Sequence, residues 1–257
     1  MQVAKIRYND IDAPAMFADS LQKTGFGVIA DHPIHFDLVD CVYREWESFF
    51  QSEKKHDYLF DPIKQDGYFP TGTENAEDHP IKDHKEFYHF YPWGRLPRTL
   101  TGATEELFES LVDMTSTLLE WVEKNTPEEV QSQFSEPLKN MISGSKTNLL
   151  RIIHYPPFSG KEDNRSLRAA AHEDINLITL LIGAEEGGLE VLNKDGSWIE
   201  VAPSSEAIVC NIGDMMQLVT DKKLKSTTHR VIPVSYTHLR AHETPEQRGC
   251  PRMREKK

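Results

Sequence analysis

Cysteine is scarce in this chain: three residues, at positions 41, 210 and 250, lie far apart among 257. They form no C-x-x-C pair and no disulfide framework, which excludes a stapled scaffold and fits a reducing compartment, so a cytoplasmic location is expected. Long apolar runs are missing as well. Nothing approaches the ~18 residues of a membrane span, and Met1-Gln2-Val3-Ala4-Lys5-Ile6-Arg7 leads into polar sequence instead of the apolar segment of a signal peptide. Basic residues are in deficit, 29 Lys and Arg against 41 Asp and Glu, for a net charge of -12. That balance disfavours non-specific binding to nucleic acid or anionic membranes, so neither is expected as a partner. Internal repeats and low-complexity stretches are also absent. The chain does have 38% hydrophobic residues, enough for a real core, and a monomer with one large β domain and a helical elaboration is expected.

The first half reads as mainly helical. Asp12 and Pro14 are placed as cap and first-turn proline, Phe17 and Leu21 share a face, and Gly25 supplies a stop. A short strand, Phe26 to Ala30, follows. Leu38, Val42, Trp46, Phe49 and Phe50 recur at helical spacing, so 36 to 53 is expected to be an amphipathic helix whose aromatic stripe is core. Prolines at 62, 70 and 80 with glycines at 67 and 72 make 57 to 82 a long loop. A second helix, about 103 to 124, turns Leu107, Leu111, Met114, Leu118 and Trp121 or Val122 inward.

From about 147 the period changes. β-rich runs at 147 to 155, 175 to 183, 188 to 192, 198 to 202, 206 to 212, 214 to 219 and 227 to 232 are divided by turn signals such as Asn193-Lys194-Asp195-Gly196. Many short strands of even spacing suggest a sandwich or jelly roll.

Within this β-rich half stand His172, Asp174 and His229. In Ala170-Ala171-His172-Glu173-Asp174-Ile175 the His and Asp are two apart, and on a strand they would project from one face. His229 lies in Ser226-Thr227-Thr228-His229-Arg230-Val231, a β-branched run suited to another strand. Two imidazoles and one carboxylate on one side of an ion make the facial triad of non-haem Fe(II) sites. Among 11 histidines a lone H-x-D pair is weak evidence, more often a solvated turn or capping pair. The one H-x-E competitor, His84-Lys85-Glu86, lies in a charged segment and reads as surface.

The surroundings carry more weight. Leu150-Arg151-Ile152-Ile153-His154-Tyr155-Pro156-Pro157 precedes the pair. Gly187-Gly188-Leu189-Glu190-Val191, Asp195-Gly196-Ser197-Trp198, Asn211-Ile212-Gly213-Asp214 and Lys225-Ser226-Thr227-Thr228-His229-Arg230-Val231 follow in order. Upstream stand Thr24-Gly25-Phe26-Gly27, His32-Pro33-Ile34, Gly67-Tyr68 and Lys85-Glu86-Phe87. This ordered set, over roughly residues 10 to 233, resembles the isopenicillin N synthase-like family of 2-oxoglutarate- and Fe(II)-dependent oxygenases. The resemblance implies a double-stranded β-helix (jelly roll) with a helical N-terminal part. It also implies His172, Asp174 and His229 as Fe(II) ligands, and Tyr155 with Arg151 as contacts of the 2-oxoglutarate cosubstrate. O2 would be consumed, succinate and CO2 released, and a small molecule hydroxylated, desaturated or cyclised. Asn176 and Trp198 are weaker pocket candidates. The expected organisation is an α/β support region over 1–100, a helical segment over 101–146, and a catalytic core over 147–233.

Two departures matter. The family's Thr-Asn-Gly turn is replaced by Thr220-Asp221-Lys222-Lys223. From about Val234, Val234-Ser235-Tyr236-Thr237-His238-Leu239-Arg240-Ala241-His242-Glu243-Thr244 resembles a translated sequencing adapter, so 234–257 is expected to be a non-native tail and the jelly roll to be truncated. The family's Arg-x-Ser or Arg-x-Thr clamp for the distal carboxylate of 2-oxoglutarate would fall in that stretch, and Arg240 is followed by Ala241-His242 instead. The alternatives left open are an Fe(II)/O2 oxidase of the same fold without a 2-oxo acid, and an inactive metal-binding fragment.

Overall fold

The computed structural model describes residues 2–74, 82–157, 167–182, 187–202, 204–233 and, as backbone, 240–243. The first elements are β1 (Lys5–Arg7), α1 (Ala13–Thr24), β2 (Phe26–Ala30) and α2 (Phe36–Gln51), followed by a 3-10 turn at Glu53–Tyr58. Then come β3 (Gly67–Phe69), β4 (Glu86–Phe90), α3 (Ala103–Lys124) and the short α4 (Glu128–Gln131). The second half contains β5 (Leu150–His154), β6 (Ala169–His172), β7 (Ile178–Ile182), β8 (Leu189–Leu192), β9 (Trp198–Glu200) and β10 (Ala207–Ile212). It closes with α5 (Asp214–Val219), β11 (His229–Val231) and β12 (Arg240–Glu243).

The strands form two sheets, ordered β1-β2-β10-β7-β12-β5-β4-β3 and β6-β11-β8-β9. Alternation along each strand of the larger sheet separates two apolar layers. Leu150 and Ile152 of β5, Leu180 of β7 and Ile208 and Cys210 of β10 join Trp46, Phe49, Leu107, Leu118 and their neighbours on the helices. The opposite residues, among them Ile153, Leu181, Val209 and Phe87, turn toward the smaller sheet and make two interior clusters, one with Val191 and Val201 and one with Tyr155 and Val231. The jelly roll is therefore carried on a helical layer.

Local sequence explains the helical layer. Pro14 sits in the first turn of α1, where its missing N–H costs nothing, while Asp12 occupies the cap position without a side-chain cap bond. Gly25 ends the helix at φ 75°, its N–H bonded to Leu21 O. Along α2, Val42, Trp46, Phe49 and Phe50 are buried, and the Trp46 indole donates to Thr104 Oγ1 at 3.0 Å, joining α2 to α3. On α3 both Trp121 and Val122 are buried. No described helix is long and apolar enough to cross a membrane.

Several expectations are corrected. Residues 214–219 are helical: Met215, Met216, Gln217 and Leu218 are good helix formers, and Asp214 lies in the first turn against the helix dipole. The stretch 220–223 accordingly follows a helix, and Asp221 (φ 49°) and Lys222 (φ 62°) take the left-handed conformation that an Asn-Gly pair would adopt more cheaply. The long loop of 57 to 82 contains β3, and β4 follows it. The charged run 84–86 is not surface. Lys85 and Glu86 are 6% and 3% exposed, each neutralised by its own partners, and His84 Nε2 lies 3.0 Å from Pro156 O. Beyond Pro233, where no part in the fold was expected, the backbone of 240–243 pairs with both β5 and β7. Those strands would otherwise present unpaired edges to each other, a slot that any extended segment can fill.

Candidate metal centre

His229 opens β11 and faces His172, the last residue of β6, as a direct cross-strand pair. Asp174 does not continue that strand. It lies in the loop between β6 and β7, where its carbonyl accepts the Asp214 N–H at 2.7 Å, so the shared strand face expected for His172 and Asp174 is replaced by a turn that brings the carboxylate back. Gly213 makes this turn possible, because a Cβ there would sit 2.2 Å from Asn176 O. The three side chains offer ligand atoms within 4.8 Å of one another.

Their hydrogen bonds orient them. His172 Nδ1 lies 2.7 Å from Ala170 O and His229 Nδ1 lies 3.1 Å from Thr227 O. A carbonyl can only accept, so each Nδ1 carries the proton and each Nε2 keeps its lone pair. Asp174 Oδ2 accepts from Thr179 Oγ1 at 2.6 Å and Asn211 Nδ2 at 2.7 Å. Its Oδ1 faces His172 Nε2 at 3.8 Å and His229 Nε2 at 3.9 Å, separations too long for hydrogen bonds. Three acceptor atoms thus converge, none hydrogen-bonded to another. The donor set, two neutral imidazoles and one carboxylate, fits Fe(II), and the bonds to Ala170, Thr227, Thr179 and Asn211 are the outer-shell supports that such ligands need. Burial resists charge on Asp174, but any positive charge on His229 and His172 in the metal-free site, together with the two hydrogen bonds, holds its carboxyl below the ordinary range. The site opens at His172, whose side chain is 29% exposed, while Asp174 and His229 are buried. The Phe26 ring meets His229 edge-on at 5.5 Å.

Sequence reasoning missed Thr179 and Asn211. They are direct partners across the β7–β10 ladder, and the signal was a polar residue inside Ile-Thr-Leu-Leu-Ile and Ile-Val-Cys-Asn-Ile, which a buried strand tolerates only when bonded. Arg151 and Tyr155 lie on the interior side of β5. Arg151 Nε donates to His89 Nε2 at 3.2 Å and its guanidinium covers Phe87 at 4.9 Å, while Tyr155 packs with Phe87 and Ile153 beneath the guanidinium of Arg168. His154 turns to the helical side, with Nδ1 2.7 Å from Glu86 Oε1 and its ring stacked on Phe50. Asn176 is fully buried and donates to Thr179, so it supports the carboxylate loop. Trp198 is covered by the Arg230 guanidinium at 4.0 Å.

Comparison with known proteins agrees with this geometry. The sequence profile of the 2OG-Fe(II) oxygenase superfamily matches residues 146–241, and that of the non-haem dioxygenase N-terminal region named for morphine synthesis matches 13–107. A crystal structure from Shewanella oneidensis, described as a candidate oxygenase, superposes with a TM-score of 0.88 at 44% identity, covering 98% of this chain and 91% of that one. Gibberellin 2-beta-dioxygenase 3 of Arabidopsis thaliana is 26% identical over 242 residues, 88% of this chain and 70% of that protein. Jasmonate-induced oxygenase 1 of the same plant is 28% identical over 255 residues, and this chain spans 61% of its length.

Proposed function

This chain belongs to the 2OG-Fe(II) oxygenase superfamily, and we propose that it oxidises a small molecule with O2 and 2-oxoglutarate, by hydroxylation, desaturation or cyclisation. The observation that carries this is the convergence of His172, Asp174 and His229, with every other polar atom of the three side chains already satisfied by the protein. Fe(II) held there, with 2-oxoglutarate, supplies the oxidising chemistry, with O2 consumed and succinate and CO2 released. The protein's part is orientation and exclusion of water. Thr179 and Asn211 keep the Asp174 carboxylate charged and aimed, and the Ala170 and Thr227 carbonyls fix both imidazole tautomers. Phe26, Val28, Val191, Val201 and Val209 pack as one apolar cluster of the interior, and Phe87, Ile153, Tyr155 and Val231 as another, and both exclude water from it.

We assign Tyr155 and Arg151 to the cosubstrate end of the chamber. Leu181 supports this assignment: it touches the Tyr155 cluster and stands two residues from Thr179 on the same face. The division at about 100, 146 and 233, a foreign origin for 234–257, a monomeric state and a cytoplasmic location are parts of the same reading. Size-exclusion chromatography and resequencing of the gene's 3′ end test the state and the tail. The central test is anaerobic addition of Fe(II) and 2-oxoglutarate. A weak visible charge-transfer band that needs both, together with succinate formed on admitting air, is the expected result. Failure of the band with both histidines intact overturns the cosubstrate assignment, and iron affinity unchanged in His172→Ala overturns the metal site.

A further inference from the structure

Beside the metal centre lies a cluster of charge of which only Arg151 has so far been given a part, at the cosubstrate end of the chamber. Lys85 Nζ is 2.9 Å from Glu74 Oε2 and 3.1 Å from Asp83 Oδ2, and Arg151 Nη1 is 3.6 Å from the same Glu74 oxygen. The cluster adjoins the ligand shell. Asp83 Oδ1 accepts the Ala170 N–H at 3.0 Å, and the Ala170 carbonyl is the one that orients His172. Apolar and aromatic groups flank it, with Phe87 beneath both cations and Tyr155 and Phe69 beside Phe87.

The two carboxylates of this cluster are held differently. Asp83 is 4% exposed and tied to a backbone N–H. Glu74 extends from the loop after β3, its side chain 34% exposed, and its carboxylate meets the side chains of Lys85 and Arg151. Burial opposes its charge, but Arg151 and Lys85 outweigh that and bring its pKa to about 2, so it is an anion at neutral pH. A carboxylate on a flexible stem, set between a guanidinium and an ammonium, occupies the place that a ligand carboxylate would take.

We propose that Arg151 and Lys85 form a receptor for a ligand carboxylate inside the barrel, and that Glu74 is a built-in competitor which swings away when an acid with an apolar body binds. This rests on the oxygenase reading only in taking the barrel interior as the ligand chamber. The carboxylate has two sources, the cosubstrate or the molecule to be oxidised, and their shared chemistry is what the site recognises.

Calorimetry on the full metal-free chain tests it with 3-phenylpropanoate, its primary amide and 2-oxoglutarate, against Glu74→Gln and Arg151→Gln. Glu74→Gln removes the competing charge and is expected to tighten binding of at least one acid about tenfold without helping the amide. Arg151→Gln is expected to abolish the preference for acid over amide. A gain confined to 2-oxoglutarate assigns the receptor to the cosubstrate, and a gain for the monocarboxylate assigns it to the substrate; either supports the proposal. Equal binding of acid and amide, or no gain for any acid in Glu74→Gln, overturns it. Should Arg151→Gln fail to fold, the Glu74→Gln comparison decides alone. The charge-transfer band separates the two readings: a band in the parent with no Glu74 effect sinks this proposal alone, and a Glu74 effect without the band sinks the cosubstrate assignment alone.

Discussion

Replacing Thr179 with Val removes two hydrogen bonds and almost nothing else. The hydroxyl donates to Asp174 Oδ2 at 2.6 Å and accepts from Asn176 Nδ2 at 2.7 Å, and a methyl group fills the same space. A hydrogen bond to a charged group contributes about 1.5–3 kcal/mol, and outer-shell changes of this kind cost roughly 10–100-fold in metal affinity. The carboxylate also loses one of the forces that lower its pKa, and a less stable anion is a poorer ligand. Titration of the variant with Mn(II) under nitrogen at pH 7 should give a dissociation constant weaker by about tenfold or more. The metal-free variant should melt several degrees lower, since each kcal/mol moves Tm by roughly 2–4 °C in a chain of this size. Asn211→Ala should act in the same direction, and the double variant should lose less than the sum, because both donors serve one oxygen. Metal affinity within twofold of the parent, in a folded Thr179→Val protein, would refute the reasoning and make the hydroxyl a packing device.

Glu86→Gln tests the network on the other face of β4. Glu86 accepts from His154, Tyr68 and Lys55, and these bonds hold its carboxyl below the ordinary range against the cost of burial. A depressed folded pKa means stability present above the ordinary carboxylate range and lost as pH falls through the folded value. The variant should therefore lose about 3 kcal/mol at pH 7, and urea melts should show the gap closing on acidification; a gap that widens contradicts the sign. Lys222→Gly, at φ 62°, should relieve about 1 kcal/mol of left-handed strain, and an unchanged or lower Tm would show that the lysine is not strained. Gly25→Ala should destabilise by at least ~1–2 kcal/mol, because φ is 75° and the new Cβ would meet Thr227 Oγ1 at 2.2 Å. Thr227 carries the carbonyl that orients His229, so Mn(II) affinity should fall with it, and stability lost without affinity would separate the two effects.

The three ligands were legible because their chemistry is carried by residue type and order along the chain, and local geometry was not needed. Asp174 shows the difference. The strand pattern placed it beside His172 on one face, yet a turn braced by Gly213 and Asp214 delivers it, and both routes bring the carboxylate to the same two imidazoles. The helices at 13–24 and 103–124 and the strand at 26–30 announced themselves through period and punctuation. Residues 214–219 did not, since a six-residue run with four apolar side chains suits either structure. Thr179 and Asn211 stayed hidden because their value comes from pairing across β7 and β10, a register that no single strand contains.

The same limit explains why 84–86 looked like surface. Charged residues on a central strand seem out of place until the pleat divides them. Lys85, Phe87 and His89 point into the barrel, where Lys85 meets Glu74 and Asp83, while Glu86 and Tyr88 point to the helices, where Glu86 meets Lys55, Tyr68 and His154. On and just after β5, Arg151 and Tyr155 belong to the first group and His154 to the second. Two ion networks thus share one pair of strands: one ties the sheet to α2 and the turn after it, and the other lies on the interior side of the barrel. A one-residue slip between β4 and β5 would exchange them, placing Glu86 among the interior cations and Lys85 in the helical core. Register here sets both stability and chemistry, so a substitution that weakens the β4–β5 ladder should damage the chamber before it unfolds the chain.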